Sequence, residues 1–210
     1  MIYNGNINDT TDFKSEKAFY VNSCGTTHTC SEFSVIREFG RNDYHILYVI
    51  KGNCYIEKKS SIITLEENDI FIYYPHEMQK YSFDSKENIS YWIHFSGYEV
   101  ENLLTQLNLT AGKHHLNEFN NISALFNSIQ KEYSAYSIIN DEANQKAKIL
   151  KVKNGGLLIE LLSNICLSIN CIDDKEISSE FIDNVKNHFQ LLIFVVLWIV
   201  TFFVFIASLN

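Results

Sequence analysis

The stretch from Tyr44 to Gly97 restricts what this chain can fold into more than any other part of it. It holds Tyr44-His45-Ile46-Leu47-Tyr48-Val49-Ile50-Lys51-Gly52, then Asn68-Asp69-Ile70-Phe71-Ile72-Tyr73-Tyr74-Pro75, then Tyr91-Trp92-Ile93-His94-Phe95-Ser96-Gly97. Each piece is short, rich in β-branched and aromatic side chains, and bounded by Gly, Asn, Asp or Pro, so each reads as a strand. Several short strands in one block predict a closed or double-sheet antiparallel architecture, in which each edge finds a partner.

The neighbouring segments fill in this block. Residues 1–31 are polar and weakly periodic and read as an arm, with one short strand at Ala18-Phe19-Tyr20-Val21. Phe33 to Phe39 is the first firm strand and carries Arg37. Tyr44 to Ile50 is apolar on both faces, which predicts a central strand covered on two sides. Cys54–Lys58 and Ile62–Leu65 flank a polar turn, and Pro75, the sole proline, ends the strand Ile70–Tyr74 because it cannot donate to a ladder. Lys80–Phe83 and Ile89–Phe95 complete the block, and His114-His115 reads as loop.

After Gly97 the apolar period lengthens to that of a helix. Tyr98–Leu107 forms one short helix. Ile122, Leu125, Phe126, Ile129 and Tyr133 mark a second, with Asn121 as its N-cap. A third runs from about Asp141 to Ile169, and Gly155-Gly156 inside it predicts a kink or a close crossing. The last two should form a hairpin that presents a Leu-rich stripe to the barrel or to a second subunit.

A formal charge of −8 opposes extended contact with phosphates, and no dense Lys/Arg run counters it. The five cysteines lack a Cys-x-x-Cys pair and read as reduced thiols of a cytoplasmic protein. The polar N-terminus is no secretory signal.

Arg37, the Tyr44–Gly52 segment, Asn68–Pro75, Tyr81 and the Trp92-Ile93-His94-Phe95-Ser96-Gly97 ending together resemble the effector-binding, dimerising half of AraC-type (AraC/XylS) bacterial transcription regulators. The resemblance covers about residues 15–170. It implies a mainly β fold with C-terminal helices: a cupin-like jelly-roll barrel followed by an α-helical hairpin, here with an apolar C-terminal helix. The expected divisions are an arm at 1–31, the barrel at 32–97 and a helical dimerisation region at 98–172. A linker with the remnant of the first DNA-binding helix follows at 173–189, then an apolar tail at 190–210. The helix-turn-helix domain that the family carries next is not matched, so the resemblance implies a homodimeric sensor that does not itself bind DNA.

By the same resemblance Arg37, Tyr81 and Trp92 line the effector pocket, and a carbohydrate is the implied effector. Trp and Tyr offer flat apolar faces to sugar C–H groups, and Arg offers forked donors to adjacent hydroxyls. His94 shares a face with Trp92 if their strand is regular, and His45 is a weaker candidate of the same kind. Core filling by Trp92 and a surface ion pair at Arg37 are the competing readings. A metal-dependent cupin enzyme would need a His-x-His set and a late histidine, but position 47 is Leu and Gln79 or Lys80 stands where the late histidine is expected. No catalytic residue, metal site or cofactor is expected. Leu191–Leu209 has no charged residue and the length of a membrane span, which leaves a membrane-tethered binding protein or an altered reading frame open.

Overall fold

The structure is a computed structural model. It describes residues 2–4, 17–117, 121–139 and 143–169. Residues 5–16 of the proposed arm, the remnant helix, the apolar tail and Cys171 lie outside those residues. The chain divides into two compact units, 1–170 and 171–210, and all described residues belong to the first.

The strands are β1 (Ile2–Asn4), β2 (Tyr20–Thr29), β3 (Phe33–Arg37), β4 (Tyr44–Lys51) and β5 (Cys54–Lys58), then β6 (Ser61–Leu65), β7 (Asp69–Tyr73), β8 (Gln79–Phe83) and β9 (Asn88–Ser96). Helix α1 (Val100–Gln106), strand β10 (Gly112–His115), and helices α2 (Ile122–Ser137) and α3 (Gln145–Ile169) follow. A six-stranded sheet in the order β1-β2-β9-β4-β7-β10 faces a four-stranded sheet in the order β3-β8-β5-β6, and every described pairing is antiparallel.

The period of two divides the large sheet between two cores. On β4, β7 and β9, Ile46, Ile70, Ile72, Ile93 and Phe95 face outward and pack against α1, α2 and α3 through Leu104, Phe126, Ile129, Leu158, Leu161 and Ile165. Leu47, Phe71 and Trp92 face the small sheet and meet Ile56, Tyr81 and Phe83 there. The expected central strand is thus covered on both faces, and the Leu-rich stripe of α3 is spent on the sheet. Phe126 packs on the rings of both Tyr48 and Tyr91, with centroids 5.7 and 5.5 Å away. Tyr133 and Tyr136 donate their hydroxyls to the carbonyls of Asn22 and Val21, which pins the hairpin to β2.

Two local expectations need correction and two are narrowed. Tyr20–Thr29 is a ten-residue strand between β1 and β9 rather than part of an arm. Its run of Asn, Ser, Thr and His hid it, although Thr suits a pleated surface. His114 and His115 lie in β10, paired with β7, where His115 Nδ1 meets Asp69 Oδ1 at 2.8 Å. Asn121 occupies the cap position of α2 without a side-chain cap bond. Helix α3 runs unbroken through Gly155-Gly156, and the close crossing is what the glycine serves: a Cβ on Gly155 would sit 3.0 Å from the Phe19 carbonyl oxygen.

Candidate functional site

Strand register stacks the barrel interior in layers. One layer joins Trp92, Leu47 and Phe71 of the large sheet to Val35, Tyr81 and Ile56 of the small one. It is apolar apart from the Tyr81 hydroxyl and the indole N–H. The next layer, toward the start of β4, is polar. His94 opposes His45, His45 opposes Tyr73, and Arg37 opposes Gln79 across the small sheet.

The histidine rings are stacked, with centroids 4.2 Å apart and planes 16° from parallel. Tyr73 continues the stack beyond His45 at 5.4 Å and 7°, and Trp92 stands beside His94 at 5.8 Å. A row of stacked rings therefore runs from His94 through His45 to Tyr73, with Trp92 tilted beside His94. Opposite, Arg37 Nη1 donates to Gln79 Oε1 at 3.0 Å.

The loop before β4 braces this layer. Gly40 adopts φ +67°, and a Cβ there would collide with the Glu77 carbonyl, so the turn delivers Arg41 and Asp43 beneath the barrel end only with glycine in place. Asp43 is fully buried and takes a fork from Arg41, Nε to Oδ1 at 2.9 Å and Nη2 to Oδ2 at 3.1 Å. Asn22 Nδ2 also donates to Asp43 Oδ2 at 2.9 Å, and Ser96 Oγ donates to Asn22 Oδ1 at 3.0 Å. A bulge between Val21 and Ser23 in β2 interrupts the register at Asn22, the way bulges re-aim a side chain. His94 Nδ1 lies 3.3 Å from Asp43 Oδ1, outside hydrogen-bond geometry, so their attraction is mainly electrostatic.

Burial pushes the Asp43 carboxyl up, but the nearby His94 and the Arg41 fork outweigh it and hold the group at about 2. Burial drives His45 well below the usual histidine value, and its neighbour His94, then Arg37 and Arg41, lower it further. His94 is lowered by burial too, against an upward pull from Asp43. Both imidazoles are therefore neutral at pH 7, and the ionised pair is Asp43 with Arg41. Burial also keeps the Tyr73 phenol protonated.

Both ring nitrogens of His45, the Tyr73 hydroxyl and the Gln79 amide nitrogen are buried without a hydrogen-bond partner among the described residues. A buried polar atom left unpaired costs about 1–3 kcal/mol, so their concentration in one layer marks a place built for polar contacts with something else. Neutral imidazoles and a phenol can each donate and accept, while the Gln79 nitrogen only donates. No group of three or more His, Cys, Asp and Glu that could hold a metal occurs among the described residues.

Arg37, Tyr81, Trp92, His94 and His45, the residues singled out from the sequence, come together on the inner walls. Trp92 and Tyr81 are 5% and 8% exposed. Arg37 lies on the same face of β3 as Phe33 and Val35, which pack into the interior, whereas Ile36 is 60% exposed outside. Tyr73, Gln79, Arg41 and Asp43 were missed. Period-two counting from Tyr81 would have placed Gln79 on the inner face, and counting from Phe71 would have placed Tyr73. Nothing in the polar turn Gly40-Arg41-Asn42-Asp43 signals that two of its charges are buried.

A two-sheet antiparallel barrel with a helical hairpin on one outer face and a polar layer inside is a cupin-like ligand-binding fold. The family model described as AraC-like ligand binding domain matches residues 23–152, and the chain belongs to that family. Among solved structures, ToxT from Vibrio cholerae O395 bound to (E)-4-(8-methylnaphthalen-1-yl)but-3-enoic acid is 16% identical, covering 71% of this chain and 58% of that one at a TM-score of 0.41. Another ToxT structure from Vibrio cholerae is 18% identical, covering 75% of this chain and 61% of that one at 0.38. A cupin-2 domain containing protein from Shewanella frigidimarina NCIMB 400 is 17% identical, covering 42% and 72% of the two chains at 0.29. No curated protein matches the sequence.

Proposed function

We propose that this domain senses a small polar effector, held inside the barrel between the Trp92–His94–His45–Tyr73 wall and the Arg37–Gln79 pair, as the sensing part of a transcriptional regulator. The observation that carries this reading is the cluster of unpaired buried polar atoms in one layer of an otherwise apolar interior. Membership of the AraC-like ligand-binding family supports a regulatory rather than an enzymatic role. A carbohydrate suits the wall, because the Trp92 indole offers an apolar face to C–H groups while the unpaired atoms take hydroxyls. A thermal-shift screen of mono- and disaccharides and their derivatives tests this. Binders should raise the unfolding midpoint, and Trp92→Phe or His45→Phe should abolish that rise. Binders that ignore both substitutions would overturn the barrel site.

Self-association through the helical hairpin belongs to the same reading. Ile149 and Val152, one helical turn apart on α3, are 58% and 77% exposed, and Ile138 just past α2 is 83% exposed. Val152 also lines a groove of about 720 Å³ together with Phe19, Gly155 and Ile159. Sedimentation should give a dimer that Ile149→Glu with Val152→Glu disperses. An unchanged dimer would move the interface elsewhere. Helix α3 is long and apolar enough to cross a membrane by length and composition, but its buried face is the sheet-covering stripe of this domain. That supports a cytoplasmic core helix. The described cysteines, Cys24, Cys30, Cys54 and Cys166, are free thiols, in keeping with the same compartment.

A further inference from the structure

Building on the barrel reading, we propose that the effector is a sugar acid, with its carboxylate against Lys58 and the Gln79 amide and its hydroxyls against His45 and Tyr73. Lys58 drew no attention in the sequence, where it ends a strand beside two other polar residues. Register places it inside. Ile56 opposes Tyr81 and faces the interior, and Lys58 lies two residues further along the same strand. Arg37, Gln79 and Lys58 thus form one row across the inner face of the small sheet.

The ammonium of Lys58 reaches across to the opposite wall, 5.1 Å from the Phe71 ring centroid and 5.3 Å from that of Tyr73. Its chain neighbour Glu57 points outward and pairs with Lys80. At the centre of the row, Gln79 has its oxygen occupied by Arg37, which fixes the amide so that the unpaired atom is the nitrogen, a pure donor. The hydroxyl of Tyr73, whose ring Lys58 approaches, is likewise unpaired among the described residues.

The acids near this layer are already engaged. Asp43 is held by the Arg41 fork and by Asn22, and Glu77, which Tyr73 also senses, accepts the Tyr74 backbone N–H at 3.0 Å. Among the described residues, Arg37, Arg41 and Lys58 stand beside these two carboxylates, while the histidines contribute no charge. The described residues of the layer are therefore rich in donors, with the Lys58 ammonium at one end. A neutral sugar would meet the histidines and the phenol but would bring no negative charge to the Lys58–Gln79 end. A carboxylate supplies acceptors only, and its charge-assisted bonds are roughly twice as strong as neutral ones.

Isothermal titration of the full chain with matched pairs tests this: D-galacturonate against D-galactose, and D-gluconate against D-sorbitol. Each acid should bind about tenfold or more tightly than its neutral partner, a difference of about 1.4 kcal/mol. Lys58→Gln should erase that advantage without moving the unfolding midpoint of the free protein. Neutral partners binding as well as the acids, or a preference that survives Lys58→Gln, would overturn the anion assignment. If galactose then still loses affinity on Trp92→Phe, the barrel reading stands without it. Acid binding that is indifferent to both Trp92→Phe and His45→Phe would instead overturn the barrel reading. Failure of every panel member to bind would overturn the sugar-acid class.

Discussion

The two faces of strands β4, β7 and β9 solve opposite problems with one backbone. Outward, Ile46, Ile72, Ile93 and Phe95 are sealed under helices with no polar atom to satisfy, the arrangement that burial alone favours. Inward, at the same level of the same strands, His45, His94 and Tyr73 are just as buried and yet carry unpaired polar atoms. One face stores the stability and the other spends it. The helical hairpin thus does more than decorate the barrel: it stabilises strands whose inner surface is poorly satisfied by the protein itself.

Substitutions on the two faces should therefore separate stability from binding. The largest effect is expected at Phe126, which is buried and packs on both Tyr48 and Tyr91. Phe126→Ala should cost about 3–5 kcal/mol in urea unfolding, and a cost as small as a surface substitution would mean that the helices do not hold the sheet. Next comes Asp43→Ala. It leaves Arg41 buried without its carboxylate and should cost about 3 kcal/mol, while also removing the charge beside His94.

Acidification should act through the inner face. His45 and His94 have depressed values when folded, so both states are neutral above the ordinary histidine range near pH 6.5. As pH falls below it, the unfolded chain takes up protons that the folded one refuses. Each histidine then removes up to about 1.4 kcal/mol per pH unit until its folded value is reached. Asp43 adds a separate loss at lower pH, between its ordinary carboxylate value and about 2. Unfolding midpoints measured from pH 7 to pH 5 should fall in wild type and fall less in His45→Phe. An identical slope in the two proteins would show that His45 is not held neutral.

The smallest effect on stability is expected from His45→Phe at neutral pH. Replacing an unsatisfied buried ring by an apolar one of similar shape should leave stability within about 1 kcal/mol of wild type or raise it, although effector binding is lost. Stability falling as far as in Phe126→Ala would erase the contrast between the faces.

The sequence carries this contrast unevenly. The outer core was legible because Ile, Leu and Phe repeat with strand and helix periods, and the two covered faces of Tyr44–Ile50 announced a central strand. Trp92, His94 and His45 were legible because aromatic and imidazole groups stand out within apolar strands, and Arg37 and Tyr81 because the resemblance drew attention to them. The brace was not. Arg41 and Asp43 sit in a turn where charges are normally solvated, and only the path of Gly40 tucks them under the barrel. Strands β2 and β10 were obscured by polar composition, since their pairing comes from neighbours rather than from their own hydrophobic pattern. Lys58 looked like one more strand-end lysine, because facing inward is a property of register and not of residue type.

The central claim, that the polar layer of the barrel is the effector site, is tested most directly by the imidazole signals of His45 and His94 in nitrogen–proton spectra, assigned with His45→Phe and recorded as a binding sugar or sugar acid is titrated in. The account predicts that both sets of ring signals shift and saturate with the same dissociation constant that calorimetry gives. Saturating binding that leaves both rings unmoved, while signals from the helical hairpin shift, would contradict it.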